Sequence, residues 1–164
     1  METFNELTKD ILSNSEFNKL KKELHHGITR YEHTFRVAKW TYRICKLFNM
    51  KNINTTTRAA LLHDFYTNKD TEGNSSIKKL AIHPDIALNN ALKYFELDEL
   101  GQDIIKSHMF PCNLNIPKYK ESWLVTCVDK TVATYEMLKF KLPLYLGMYL
   151  IFGYELIKTP KYTT

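Results

Sequence analysis

The sequence predicts an all-α fold, an orthogonally packed bundle of about seven helices that forms one domain over residues 1–164. Apolar residues recur at intervals of three and four along most of the chain, which is the period of an α-helix. No segment alternates with the two-residue period of a strand between hairpin turns. Only 5 Gly and 5 Pro interrupt the 164 residues. A chain of this length can bury a single sizeable core.

The N-terminal segment, residues 3–24, is predicted to form one or two short amphipathic helices that end before Gly27. His25 and His26 directly precede this glycine. Adjacent side chains point in different directions on a helix or a strand, so the pair is a poor candidate for binding one metal ion. We expect these two histidines to line the mouth of a pocket.

The next helix is predicted to begin at Thr29 and to end at about Phe48. Thr29 and Glu32 have the spacing of a capping box, in which the two residues cap each other's backbone. His33 lies one turn before an apolar stripe and therefore on the buried face of this helix. The stripe consists of Val37, Trp40, Ile44 and Leu47.

An Ala- and Leu-rich helix follows, and it ends with two adjacent polar residues, His63 and Asp64. Burying an imidazole and a carboxylate costs several kcal/mol each unless something pairs with them. A divalent cation binds both groups. The polar loop 67–76 comes next, and it places Lys69 and Asp70 where they can reach a substrate beside the pair. A solvated loop explains Lys69 and Asp70 equally well.

Two further histidines lie close to helical segments. A helix is predicted to begin at Pro84, because proline is favoured at the first helical position, and to end at about Glu96. His83 stands at the entrance of this helix. In the helix after it, the apolar residues 104–105 place His108 on the same face.

The C-terminal part of the chain is predicted to form two more helices. The first covers residues 119–138 and carries Asp129 inside a broad apolar face, where a carboxylate needs a partner. The second covers residues 142–157, is apolar on nearly all sides and is interrupted by Pro143. A membrane-spanning helix needs about 20 apolar residues. We therefore expect a buried C-terminal packing helix and no membrane association.

The composition and the N-terminal sequence indicate which class of binding partner and which cellular compartment to expect. The net charge of +5 suits an anionic ligand, but the lysines are spread along the chain, so no nucleic-acid partner is expected. Three cysteines without CxxC spacing form neither a disulfide framework nor a zinc ribbon. The N-terminus lacks the basic and apolar pattern of a signal peptide. These features predict a cytoplasmic protein.

Five of the predicted helices each carry a polar group on or beside an apolar face. Any one of these groups alone is more simply a hydrogen-bonded structural residue. If all of these groups were structural, each would need its own buried hydrogen-bond partner. If they all bind one or two metal ions instead, those ions satisfy every group at once. The set consists of His33, His63, Asp64, His83, His108 and Asp129.

The order of these residues, H…HD…H…H…D, resembles the HD-domain superfamily of metal-dependent phosphohydrolases. The flanking sequences RYEHTFRVA, RAALLHD and VDK match this superfamily as well, and the resemblance covers about residues 25–140. In a small single-domain protein, the layout is similar to that of the symmetrical dinucleoside-tetraphosphatase branch. The stretch after the His-Asp pair lacks the pattern of cyclic-dinucleotide phosphodiesterases, and no GYP signature follows.

The resemblance implies an all-α fold, one or two divalent transition metal ions, and hydrolysis of a phosphoester or phosphoanhydride by a metal-activated water. Mixed imidazole and carboxylate ligation suits Fe, Mn, Co, Ni or Zn. Asp64 would be able to bridge two ions. The implied ligands are His33, His63, Asp64 and Asp129 for the first ion, and His83 and His108 for the second.

The expected partner is a small phosphorylated substrate, a nucleotide or a related metabolite. Arg30 lies one turn before His33 and is the foremost candidate for clamping a phosphate with its planar fork. Lys130, directly after Asp129, and Lys69 are further candidates for phosphate contacts.

Two other interpretations stay open. In a mononuclear nucleotidase, His83 and His108 would only line the pocket, and metal stoichiometry separates this case from the dinuclear one. In a regulatory module, the chain would bind metal or nucleotide with little or no turnover. The sequence leaves the oligomeric state open.

Overall fold

The computed structural model describes residues 2–25 and 27–158, which form an all-α bundle, as the sequence predicts. The predicted pocket-mouth residue His26 lies outside the described residues, as does the side chain of His25. A hairpin of two-residue strands, which the sequence did not predict, joins the second and third helices. The elements are α1 (Phe4–Ser13), α2 (Ser15–Asn18), β1 (Leu24–His25), β2 (Ile28–Thr29), α3 (Arg30–Leu47), α4 (Ile53–Leu62), α5 (Ser76–Leu92), α6 (Glu99–Ser107) and α7 (Lys120–Lys158), with 3₁₀ turns at Lys19–Lys22 and Asn68–Thr71.

Capping boxes fix the starts of two helices. The Thr3 side chain accepts a hydrogen bond from the Glu6 backbone at the start of α1, and Thr29 does the same for Glu32 at the start of α3. In both boxes the glutamate side chain accepts a bond from the threonine backbone in return. The second box fixes the start of α3, and His33 in its first turn is buried.

The centre of the fold is the packing of α3 against α4, with α1, α6 and α7 around them. Ala59 and Ala60 on α4 are fully buried, and their small side chains let neighbouring helices approach closely. Because α4 ends inside the core, His63 and Asp64 are only 0% and 3% exposed. The surrounding core includes Ile11, Phe17, Val37, Leu61, Leu62, Ile104 and Val125.

The predicted start of a helix at Pro84 is wrong. Helix α5 begins at Ser76, where the Ser75 side chain caps it, and Pro84 lies in its interior. An interior proline costs about 3 kcal/mol, because it removes one backbone hydrogen bond and crowds the preceding turn. His83 and Pro84 are both buried. Packing of this face against the bundle offsets the local penalty, which sequence preferences alone do not reveal.

The prediction for the C-terminal region is wrong in two respects. Helix α7 passes through Pro143 without a break instead of dividing into helices at 119–138 and 142–157. The expected packing helix is also exposed over residues 142–152, where the side chain of Tyr149, for example, is 73% accessible. Apolar periodicity predicts a helix in either case, but it does not tell which surface covers that helix. Among the described residues, no helix is long and apolar enough to cross a membrane.

Candidate metal centre

The structure brings all six candidate ligands into one buried cluster. They come from five helices or from the residues that directly follow them, and every one of them is less than 9% exposed. The fold therefore gathers residues that lie up to 96 positions apart in the chain. They are His33 in the first turn of α3, His63 and Asp64 after α4, His83 in α5, His108 after α6, and Asp129 in α7.

One half of the cluster forms around Asp129. Its Oδ1 lies 3.0 Å from His33 Nε2 and 3.4 Å from His63 Nε2. His63 Nε2 is in turn 3.9 Å from Asp64 Oδ2. This half contains the four residues that the sequence assigns to a first ion.

The other half forms around the second oxygen of the Asp64 carboxylate. Asp64 Oδ1 lies 3.2 Å from His83 Nε2 and 3.6 Å from His108 Nε2. The two Nε2 atoms of His83 and His108 are only 3.0 Å apart. Asp64 thus faces both halves, one oxygen to each.

Three overlapping triads in this cluster have ligand atoms within 4.8 Å of one another. Asp64, His63 and His108 each belong to two triads. The overlap means that a single carboxylate and neighbouring imidazoles can serve two adjacent positions. The triads are His33, His63 and Asp64; His63, His108 and Asp129; and Asp64, His83 and His108.

Backbone carbonyls orient three of the four imidazoles. Each of these rings has its Nδ1 within 2.8–2.9 Å of a carbonyl oxygen, to which only a protonated nitrogen can donate. The proton of a neutral ring is then on Nδ1, and the Nε2 lone pair points into the cluster. The carbonyls belong to Ala60 for His63, Lys79 for His83 and Ile105 for His108.

Some buried polar atoms of this cluster lack a hydrogen-bond donor, and a bound cation would supply the missing interaction. Two Nε2 lone pairs face each other across 3.0 Å, between His83 and His108, next to the Asp64 carboxylate. Asp64 Oδ1 and His63 Nε2 are buried and make no hydrogen bond, although other ligand atoms lie close to them. Buried polar atoms without partners cost free energy. The donor set of imidazole nitrogen and carboxylate oxygen therefore fits a divalent transition metal.

A carboxylate that the sequence analysis missed supports the fourth imidazole. His33 Nδ1 lies 2.8 Å from Glu136 Oε2, and the other Glu136 oxygen pairs with Arg36. Glu136 is 1% exposed. It follows Asp129 by seven residues, two helical turns, on the same face of α7. That spacing is a signal that the sequence contains.

Electrostatics keep the carboxylates of the cluster ionised. Burial opposes ionisation, but the surrounding imidazoles hold the pKa of Asp64 and that of Asp129 below their ordinary value. Burial likewise opposes protonation of His33, but hydrogen bonds to Asp129 and Glu136 raise the pKa of this imidazole to about 10. Burial dominates at His108 and lowers its pKa. The cluster thus combines ionised carboxylates with a His108 imidazole that burial keeps neutral.

Arg30, the predicted phosphate clamp, has other partners in the structure. Its guanidinium donates to the Tyr66 carbonyl at 2.8 Å and to Asn68 Oδ1 at 3.3 Å, and it stacks over the Tyr66 ring at 3.9 Å. The Tyr66 ring also contacts His83, whose ring centroid lies 5.0 Å from that of Tyr66. Arg30 therefore orders the segment directly after Asp64.

The other predicted phosphate contacts differ in position. Lys130 Nζ donates to the His108 carbonyl at 2.9 Å, so it lies beside the centre. Lys69 is exposed in the 3₁₀ turn after Asp64. Asp70 caps the same turn by accepting a bond from the Thr67 backbone at 2.7 Å.

Comparison with known proteins agrees with this geometry. Residues 30–134 match the model of the HD domain family. The chain belongs to this family. All six candidate ligands fall within the matched residues. HD domains are mostly metal-dependent phosphohydrolases, and some are non-catalytic. No curated protein and no solved structure matches the chain.

Proposed function

We propose that this HD domain is a metal-dependent phosphohydrolase with two metal positions, and that it acts on a nucleotide or a related small phosphorylated metabolite. The observation that supports this most strongly is the pair of Nε2 atoms of His83 and His108, 3.0 Å apart beside Asp64. Hydrogen bonds to the backbone direct both lone pairs at each other. A structural histidine pair would instead have one nitrogen donate to the other.

The ligand residues would divide between the two positions. The first would be held by His33, His63 and Asp129, the second by His83 and His108, and Asp64 would offer one oxygen to each. When bound, divalent ions supply Lewis acidity that activates water and neutralises phosphoryl charge. We propose a cytoplasmic location, as the sequence predicts.

Cationic side chains near the centre would bind and orient the substrate. Lys130 is held by the His108 carbonyl, so its ammonium has a fixed position close to the ligands. Lys69 is exposed and free to rotate toward a phosphate. Arg30 would act as a positioning residue that keeps the segment after Asp64 in place. The similarity of the motif order to the dinucleoside-tetraphosphatase branch supports a nucleotide as the substrate.

Elemental analysis beside a hydrolysis assay tests this proposal. The wild-type chain is compared with Asp64→Ala and with Asp85→Ala, which removes an exposed carboxylate on α5. We expect two equivalents of transition metal in the wild type and in Asp85→Ala, and loss of metal and of nucleotide hydrolysis in Asp64→Ala. One equivalent would favour a mononuclear nucleotidase, and no metal after reconstitution would contradict an enzyme.

A regulatory module is the second candidate, and the closed surroundings of the centre favour it. Even the most accessible ligand, Asp129, is 7% exposed, so a substrate must displace residues to reach the metal positions. If the metal-loaded protein binds a nucleotide tightly and forms no product over hours, this alternative holds. Steady product formation that depends on metal would exclude it.

A further inference from the structure

The C-terminal half of α7 exposes an unusual amount of apolar surface. Nine large apolar side chains between residues 142 and 152 are each at least half accessible, and this stretch contains no charged residue. A helix that is apolar on all sides is normally covered by something. Scattered single apolar residues need no explanation, but a continuous patch of this kind marks an interaction surface.

A second apolar surface lies on the N-terminal half of the same helix. It is a groove between α3 and α7 with a volume of about 650 Å³, and we call it the α3–α7 groove. Trp40 forms part of one wall and is 48% exposed. The apolar lining includes Trp40, Ile44, Leu124, Val128, Val132 and Tyr135.

The two surfaces are connected by one periodic stripe along α7. Large apolar residues occur at alternating steps of three and four, which is the heptad pattern of a coiled-coil seam. They are 50% to 73% exposed, so nothing among the described residues covers this seam. The exposed members of the stripe are Tyr135, Leu138, Leu142, Tyr145, Tyr149 and Phe152.

We propose that this stripe binds a second copy of the chain, with the two α7 helices antiparallel around a twofold axis between Leu138 and Leu142. In this register Leu138 lies opposite Leu142 of the other copy, and Tyr135 lies opposite Tyr145. The exposed stretch of each copy then occupies the α3–α7 groove of the other. A parallel pair would join the two exposed stretches and leave both grooves open, so the antiparallel pair covers more apolar surface.

The area is sufficient for a stable dimer. At roughly 100 Å² of exposed surface per large side chain, the six exposed members of the stripe offer about 600 Å² per copy, and the lining of the α3–α7 groove adds to this area. A standard interface buries roughly 800 Å² per partner. Lys139 and Lys141 lie close to the axis and are exposed, so their like charges oppose association at low salt. We expect the dimer to become tighter as the salt concentration rises.

Mass measurement in solution tests the interface. By light scattering on a sizing column, we expect the wild type at twice the 19.3 kDa of one chain. Tyr149→Glu would bury an unpaired carboxylate in the seam and raise the dimer dissociation constant about 100-fold or more. Ile77→Glu is the matched control, because Ile77 is 82% exposed on α5 and should leave the dimer intact.

A monomeric wild type at micromolar concentration would overturn the proposal, as would a dimer that Tyr149→Glu leaves unchanged. Vesicles of phosphatidylcholine and phosphatidylglycerol provide the competing test. If the protein is monomeric in solution and sediments with vesicles through Tyr149, the apolar stretch is a membrane-surface segment and the dimer is wrong.

Disulfide cross-linking tests the orientation. In a background with Cys112 and Cys127 changed to Ser, one preparation carries Thr131→Cys and another carries Tyr149→Cys. The antiparallel register brings these two positions together, so a mixture should form the mixed cross-linked dimer, while each variant alone should not. Efficient cross-linking of either variant with itself would instead show a parallel pair and overturn the proposed arrangement.

Discussion

At the scale of single residues, each imidazole of the centre is oriented by the group that its second nitrogen contacts. Three rings use a backbone carbonyl, which no side-chain substitution removes. His33 alone among them uses a side-chain carboxylate, that of Glu136. Outer partners of this kind fix the ring orientation and raise the basicity of the ligand nitrogen. Glu136 is therefore the most direct place to test the support of the centre by mutation.

Glu136→Gln should weaken metal binding without removing a ligand. The amide retains a hydrogen-bond acceptor for His33 but loses the negative charge and the pairing with Arg36. We expect metal affinity to fall about 10- to 100-fold, as is typical when an outer partner of a ligand is lost. Titration calorimetry with the metal-free protein measures this. Glu121→Gln, a buried glutamate on α7 that bonds Asn52, should bind metal like the wild type.

Arg30→Met separates a positioning role from a phosphate clamp. The buried guanidinium holds the Tyr66 carbonyl and Asn68, so its loss should lower the free energy of unfolding by about 3 kcal/mol, even without substrate. Denaturant titration measures this loss. Unchanged stability with a raised KM for the phosphorylated substrate would restore the clamp role.

The six candidate ligands could be predicted from the sequence because each is a polar residue on or beside an apolar helical face. The structure brings all six together. Contacts that depend on the exact direction of a side chain could not be predicted from the sequence. Sequence spacing placed Arg30 near His33, but it did not show that the guanidinium turns toward the segment after Asp64.

At the scale of helices, an ion pair joins α1 to α4. Both nitrogens of the Arg58 fork donate to Asp10, each at 2.7 Å, and this bond lowers the pKa of the Asp10 carboxyl. A group whose pKa is lower in the folded state stabilises the fold above its unfolded value and loses that contribution as the pH falls. Asp10 is largely exposed, so the contribution is small.

Asp10→Asn mimics the protonated carboxyl, so it should reveal how much the ion pair with Arg58 contributes to the free energy of unfolding. At pH 7 we expect the variant to be less stable than the wild type by about 0.2–1 kcal/mol. The difference should shrink as the pH falls below 3.8, the ordinary pKa of aspartate, and should also shrink in high salt. Urea titrations of both proteins across this pH range measure it. A difference that persists at pH 2 would mean that the pair is not its cause.

Helix prediction failed where tertiary contacts outweigh local preference. Pro84 is favoured at a helix start, yet α5 begins eight residues earlier because Ser75 caps it and the face around His83 is buried. In α7 the apolar pattern predicted burial, whereas the chain offers no covering surface among its described residues. Local signals thus predicted that helices form, and packing decided where they begin and what they contact.

At the scale of the whole molecule, the candidate metal centre is the point where five helices meet. Its candidate ligands come from α3, α5 and α7 and from the residues that follow α4 and α6. These segments are distant in sequence, so ions bound there would link most of the bundle. Without a cation, the same point contains buried carboxylates, and His63 Nε2 and Asp64 Oδ1 make no hydrogen bond. Metal binding and global stability should therefore be strongly coupled.

Removal of metal should lower the melting temperature of the whole domain. A ligand that binds only the folded state at 100 times its dissociation constant adds about 2.7 kcal/mol of stability. For a chain of this size, that corresponds to a shift of about 5–10 °C. Calorimetry with and without a chelator measures it in the wild type and in Asp64→Ala. We expect the shift only in the wild type, because the variant lacks the carboxylate that faces both metal positions. An equal shift in both proteins would mean that the ions bind elsewhere.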